Sequence, residues 1–284
     1  MNSMYGELLA LLSAFCWAAG GAVYKKGLDY TDVWTGNFLR TSFTAAGFIF
    51  VMLLERQLDD VIFSITPNLA FWLIVSAIFA FFIGDLFYLE AIKLAGVARA
   101  VPVSSTYPIF VAFVTFAVYG RNIGLLLLLG SILVVVAIYL ISENDDGKGK
   151  RGIGHAVAAA ISWSISISIV DYLVNYLPAE AVAGFRFLVV SAIMAAFIPA
   201  KGFKLSRSAV KWLGVGSMVV LVVGNYSFVE AIRLVGSEKV APISAIYPVI
   251  AAVFARLALR EVLTVRIAAG VLLSFIGVLF VVVA

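Results

Sequence analysis

Charge is scarce in this chain. Only 13% of its 284 residues are Asp, Glu, Lys or Arg, against about 25% in a soluble domain. There is one histidine, His155. That excludes an HExxH zinc site, and a Ser–His dyad would have to rest on a residue at the edge of an apolar run. The one cysteine, Cys16, lies beside Trp17 in another apolar run and has no intrachain partner for a disulfide. No GxxxxGK[ST] loop occurs, so a nucleotide-driven pump lacks its phosphate cradle. No basic segment precedes the first apolar run; Lys25 and Lys26 follow it. That order is the reverse of a secretory signal, so the run is expected to be retained as a helix.

What the chain has instead is apolar sequence, 63% of it. One aqueous core cannot hide so much, whereas a bilayer accommodates it. A span needs about 20 mostly apolar residues. Reading the runs between charge and turn clusters gives ten expected helices: approximately 6–27, 33–54, 68–92, 97–118, 123–142, 152–173, 179–199, 210–232, 238–258 and 265–284. The polar stretch Glu143–Arg151 divides them into residues 1–142 and 152–284.

The two parts repeat one another. A shift of 146 places Gly6 on Gly152, Trp17 on Trp163 and Arg40 on Arg186. A shift of 140 then aligns Gly84–Pro108 with Gly224–Pro248, with ten of 25 positions identical. Hydrophobic bias does not align Trp, Arg, Glu, Gly, Tyr and two prolines under two constant shifts. Five helices per unit is an odd number, so the second unit must enter the membrane from the opposite side. The fold expected is therefore an all-α integral membrane protein, ten transmembrane helices forming two inverted-topology five-helix repeats, an arrangement typical of secondary transporters. Charge placement agrees. The connections after helices 1, 3, 5, 7 and 9 hold fourteen Lys and Arg, those on the other side four. The first set is expected in the cytoplasm, with both termini outside a plasma membrane. The net charge of +4 comes from these scattered residues and gives no nucleic-acid signal.

Residues that interrupt the apolar pattern are the candidates for function. Pro102 and Pro108 recur as Pro242 and Pro248. A proline inside a helix frees the carbonyl four residues earlier, here that of Ser104 or Ser244. In a bilayer such breaks occur where helices line a cavity or pack on protein. Pro108 falls roughly 16 Å into its helix, near the middle of a core about 30 Å thick. Tyr107 and Tyr247, next to these prolines, are wall or core aromatics. Arg40 and Arg186 recur inside helices, and an intramembrane charge should find a counter-charge. The expected pairs are Arg40–Glu90 and Arg186–Glu230, structural or gating. Asp85 breaks the repeat, since Asn225 is its mate. It has no evident basic partner; it is a proton carrier, an ammonium ligand or a hydrogen-bonded structural acid. Trp17 and Trp163 stand mid-helix before small residues, at a cavity edge or in close packing. The candidate cavity set is thus Trp17, Asn37, Asp85, Ser104, Tyr107, Trp163, Asn225, Ser244 and Tyr247, with no metal or cofactor called for.

These landmarks resemble the drug/metabolite transporter superfamily, specifically its ten-helix group with two EamA-type units, over nearly the whole chain. The resemblance rests on Trp17 and Trp163, on Arg40 and Arg186, and on Ala91–Lys93 and Ala231–Arg233. It rests further on Pro102–Pro108 and Pro242–Pro248, and on Leu259–Glu261 after the fourth helix of the second unit. The first unit departs there, with Tyr119-Gly120-Arg121. It implies a carrier of small metabolites, often an exporter of amino acids or related compounds, with a cavity between the halves and protons as a candidate coupling ion. Arg40 and Arg186, if each is neutralised, favour neutral or zwitterionic solutes over phosphates. A receptor or scaffold without transport is the alternative class.

Overall fold

A computed structural model describes residues 2–56, 62–110, 124–142, 147–235, 243–244 and 246–283. Every regular element among the described residues is helical. In chain order they are α1 (Asn2–Leu28), α2 (Val33–Leu54), α3 (Pro67–Ala95), α4 (Val97–Ser104), α5 (Leu125–Ser142), α6 (Gly147–Leu173) and α7 (Ala179–Lys201). There follow α8 (from Arg207 to Val235), α9 (Tyr247–Ala258) and α10 (Val265–Val283). Among the described residues six helices, in α1, α2, α3, α6, α7 and α8, are long and apolar enough to cross a membrane, and shorter apolar helices lie in α5, α9 and α10.

Local sequence sets the helix ends. Asp32 accepts the Thr35 amide (2.9 Å) before α2, Thr66 the Leu69 amide (3.3 Å) before α3, and Ser206 the Ala209 amide (3.0 Å) in α8. Each satisfies an amide that the first helical turn leaves without a partner. Gly96, at φ +82°, separates α3 from α4; that left-handed geometry suits a residue without Cβ.

Two boundaries differ from the sequence reading. The end of the expected linker, from Gly147, is already helical as the first turns of α6; Gly147 and Gly149 are poor helix formers, so these turns extend the helix that follows them. The fourth expected helix stops at Ser104, turns at 105–106 and resumes at 107–110, while 111–123 lies outside the described residues. The ninth is described from 243, so Pro242 lies outside.

Neither α3 nor α8 is α-helical throughout. Ile78–Gly84 in α3 and Val210–Gly216 in α8 form π-helical turns. These segments do not coincide under the repeat shift, and their composition resembles that of their flanks, so the sequence carried no signal for them.

Packing is reciprocal between the halves. Helix α1 lies along α8 and α9, and α6 along α3 and α4; α2 packs on α7, and α5 on α10. Close approaches have glycines at the contact, as expected where lipid replaces water and helices associate by fit. A Cβ on Gly277 would stand 2.7 Å from Val134, and one on Gly270 2.6 Å from Ile141, which ties α10 to α5. The outward side of α5 shows Leu125, Ile132, Val135 and Tyr139.

The basic connections gather at one end. Lys25 Nζ donates to the carbonyls of Ile92 and Lys93 (3.4 Å each), and Thr31 Oγ1 to that of Lys204 (2.7 Å). Gly152 abuts Ala95, and Glu261 reaches Val97. Elsewhere Asn68 meets Tyr172 (2.9 Å), and Glu55 lies within electrostatic reach of Glu180 and Glu230.

Candidate functional site

The π turn of α3 organises the interior. It widens the helix just before Asp85, and three consecutive carbonyls in it accept side-chain donors. Ser162 Oγ donates to Phe79 O (2.6 Å), Trp163 Nε1 to Ala80 O (3.2 Å), and Asn37 Nδ2 to Phe81 O (2.7 Å). Helices α6 and α2 are thereby bound to α3 by polar contacts inside an apolar bundle. Irregular helical turns of this kind recur at functional positions.

Asp85, at the start of the next α-helical turn, is 4% exposed and holds two partners. Its Oδ2 stands 3.2 Å from Arg40 Nη1, and its Oδ1 accepts from Trp163 Nε1 at 3.2 Å. Arg40 also donates to Asn37 Oδ1 (3.3 Å), and its guanidinium lies 4.1 Å from the ring centre of Tyr24. The expected partner of Arg40 was Glu90; the structure gives Asp85 instead. Glu90 is half-buried and outside ion-pair distance of Arg40. At about 100° per residue, two acids five positions apart point in directions about 140° different, so one helix face cannot present both.

The second half is built differently. Arg186, 8% exposed, donates to Ser166 Oγ (2.7 Å) and lies 4.7 Å from the ring centre of Phe81. The expected Arg186–Glu230 pair does not form: among the described residues no carboxylate lies within 4.0 Å of Arg186. Glu230 sits nearer the end that carries Glu55. Asn225, the mate of Asp85, donates to its own helix at Leu221 O (2.8 Å).

Trp17 and Trp163 obey the repeat closely. Trp163 packs on Gly84, where a Cβ would stand 2.6 Å from the indole, and Trp17 on Gly224, at 3.2 Å. Trp163 meets Tyr88 with ring centres 5.0 Å apart, and Trp17 meets Phe228, the mate of Tyr88, at 4.9 Å. The first helix of each half thus keys into the third helix of the other.

The proline segments meet nearby. Pro102 lies inside α4, and its carbonyl accepts Ser274 Oγ of α10 (3.1 Å). Pro108 follows the 105–106 turn, and Pro248 sits in the first turn of α9. These two restart helices, whereas kinks within continuous helices were expected. Ser105 Oγ donates to the Tyr247 hydroxyl, and the Tyr247 ring meets that of Trp17 edge-on with centres 5.8 Å apart. Tyr107 is partly buried. Ser104 bonds Val101 O (3.1 Å), and Ser244 faces Ser13 across the halves (3.5 Å).

One residue gains a role that the sequence left open. Glu261 Oε1 and Oε2 accept the amides of Val97 and Ala98, each at 2.9 Å. The carboxylate caps α4 from beyond the end of α9, where it favours the positive helix N-terminus. The motif Leu259–Glu261 was visible; its target on the other half was not.

The comparisons agree with this architecture. The model of the EamA-like transporter family matches residues 4–143 and 150–283. A protein of Archaeoglobus fulgidus named "Uncharacterized transporter" is 33% identical over 272 residues, covering 96% of each chain. A crystal structure superposes with a TM-score of 0.65 at 19% identity, covering 98% of this chain and 95% of the other; at that identity the likeness is one of fold.

Proposed function

The chain belongs to the EamA-like transporter family, and from that premise we propose that this multi-pass membrane transporter is a secondary carrier working by alternating access. In this reading ten helices form two oppositely inserted five-helix units, residues 1–142 and 152–284 joined by 143–151. Both termini lie outside the plasma membrane. The cargo is a small metabolite, amino-acid-like in size, moved outward through a site between the halves.

The observation that carries the reading is the reciprocal keying of Trp17 into Gly224 and Trp163 into Gly84. Two like units related in this way can rock against one another, closing one face as the other opens. The set Trp17, Asn37, Asp85, Ser104, Tyr107, Trp163, Asn225, Ser244 and Tyr247 would line the path. The helix restarts at Pro108 and Pro248, with Pro102 and Pro242, would let α4 and α9 bend as it opens. Asp85, the one acid in the buried centre among the described residues, is the group that would carry a coupling proton.

Counterflow in proteoliposomes tests the reading. Labelled amino acids, sugars, nucleotides and organic acids are offered against unlabelled solute inside, and accelerated uptake of one class is expected. Absence of flux for all of them would favour a receptor or scaffold. An unchanged pH dependence of flux in Asp85→Asn would remove protons at that carboxylate from the mechanism.

A further inference from the structure

The buried centre has more positive than negative charge. Arg40 and Arg186 are 3% and 8% exposed, and Asp85 is the buried acid between them among the described residues. Both Asp85 oxygens are engaged, one by Arg40 and one by Trp163. Its charge acts on Arg186 as well, but it offers that guanidinium no contact.

Arg186 is correspondingly underused. A guanidinium has five N–H donors. This one spends a bond on Ser166 Oγ; its buried Nε has no partner, as is true of Arg40, but Arg186 alone of the two also has no carboxylate within 4.0 Å among the described residues. Ser166 is itself held, because its hydroxyl donates to Ser76 O (2.9 Å). The guanidinium is therefore aimed by a relay from α3 through α6. A charge stripped of water and left without a counter-ion is costly, and one kept inside a membrane bundle marks a solute path.

We propose that Arg186 is the binding group for the carboxylate of a singly charged organic anion, the solute of this carrier. The inference deepens the carrier reading and rests on it. A monoanion brings the two guanidiniums and Asp85 to neutrality, whereas a phosphate dianion would overshoot. The flat two-oxygen head of a carboxylate matches the planar donor fork. Phe81, over which the guanidinium lies, and Phe187, stacked on Phe81 with centres 3.9 Å apart, make the surroundings of the group apolar, which strengthens its attraction for an anion. The expectation of a neutral or zwitterionic cargo assumed that both arginines were neutralised, and Arg186 is not paired in that way.

The test is ligand-dependent thermal unfolding of the full chain in detergent at constant low chloride. The probes are acetate, phenylacetate, phenylacetamide and 2-phenylethylammonium, with chloride and phosphate titrated separately. Saturable protection by phenylacetate is expected, and none by the amide or the ammonium. Arg186→Gln should weaken phenylacetate binding by about tenfold or more, the loss expected for a charge-assisted contact. Without ligand that variant should melt no lower than the parent, since it removes an unpaired buried charge. Arg186→Lys keeps the charge and should bind with intermediate affinity.

Equal protection by phenylacetamide, no protection by either carboxylate, or undiminished binding in Arg186→Gln would overturn the proposal. So would protection by chloride or phosphate that phenylacetate does not displace, which would make the site one for an inorganic ion. Phenylacetate that binds but never crosses liposomes would leave the site standing and sink the carrier. Flux confined to amines or neutral solutes would do the reverse.

Discussion

Asp85 and Arg186 show how little a residue's identity says until its partners are known. Asp85 stood out in the sequence because the repeat offers Asn225 in its place. Its mate Arg40 was missed, because counting along a helix gives depth but not the face on which a side chain emerges. Asp85→Asn keeps an acceptor for Trp163 but leaves Arg40 buried without an anion. Removing one member of a buried pair costs about 3–5 kcal/mol, so chemical unfolding in detergent should show a loss of that order. Arg40→Gln added to it should recover much of the loss, because the double change removes the charge that Asp85→Asn strands on Arg40.

Among the elements, α3 and α4 are tied to the other half by contacts of differing tolerance. A Cβ at Gly84 would meet the Trp163 indole at 2.6 Å and the Phe79 carbonyl at 2.9 Å. At Gly224 the nearest atoms, on Cys16 and Trp17, stand 3.1–3.2 Å away. Gly84→Ala should therefore lower stability by about 1–3 kcal/mol, the usual cost of overpacking, and Gly224→Ala by less; melting temperatures rank them. Reversal of that order would contradict the keyed packing at Gly84. Glu261→Ala removes two capping contacts from α4 and should cost about 1–2 kcal/mol, with Glu261→Gln in between. The alignment at Trp17, Trp163, Gly84 and Gly224 was legible because a duplication preserves what packing needs. The π turn of α3 was not, since Ile78–Gly84 reads as one more apolar stretch. What distinguishes it is its hydrogen bonding to Ser162, Trp163 and Asn37.

For the whole molecule, orientation is the quantity that one experiment fixes. With Cys16 replaced by Ala, single cysteines at Lys204 and Asn175, both exposed, report on the two ends of the bundle. In intact cells a membrane-impermeant maleimide should label the Asn175 position and not the Lys204 position until the cells are opened. Labelling in the opposite order would invert the orientation argued from the basic connections.

The sequence by itself determined that this is a duplicated helical membrane protein, because apolar length, repeat spacing and the bias of Lys and Arg are all properties of residues in order. It also marked Arg40, Arg186, Asp85 and the two tryptophans, since polar or bulky groups are conspicuous against an apolar background. Tertiary structure alone decided which charge meets which. Arg40 took Asp85 rather than Glu90, and Arg186 was left with Ser166 and the face of Phe81. The physical reason is that pairing depends on helix rotation and on distances across helices, which the order of residues does not contain. In a medium without water to screen it, that geometry decides where a charge remains for a solute to answer.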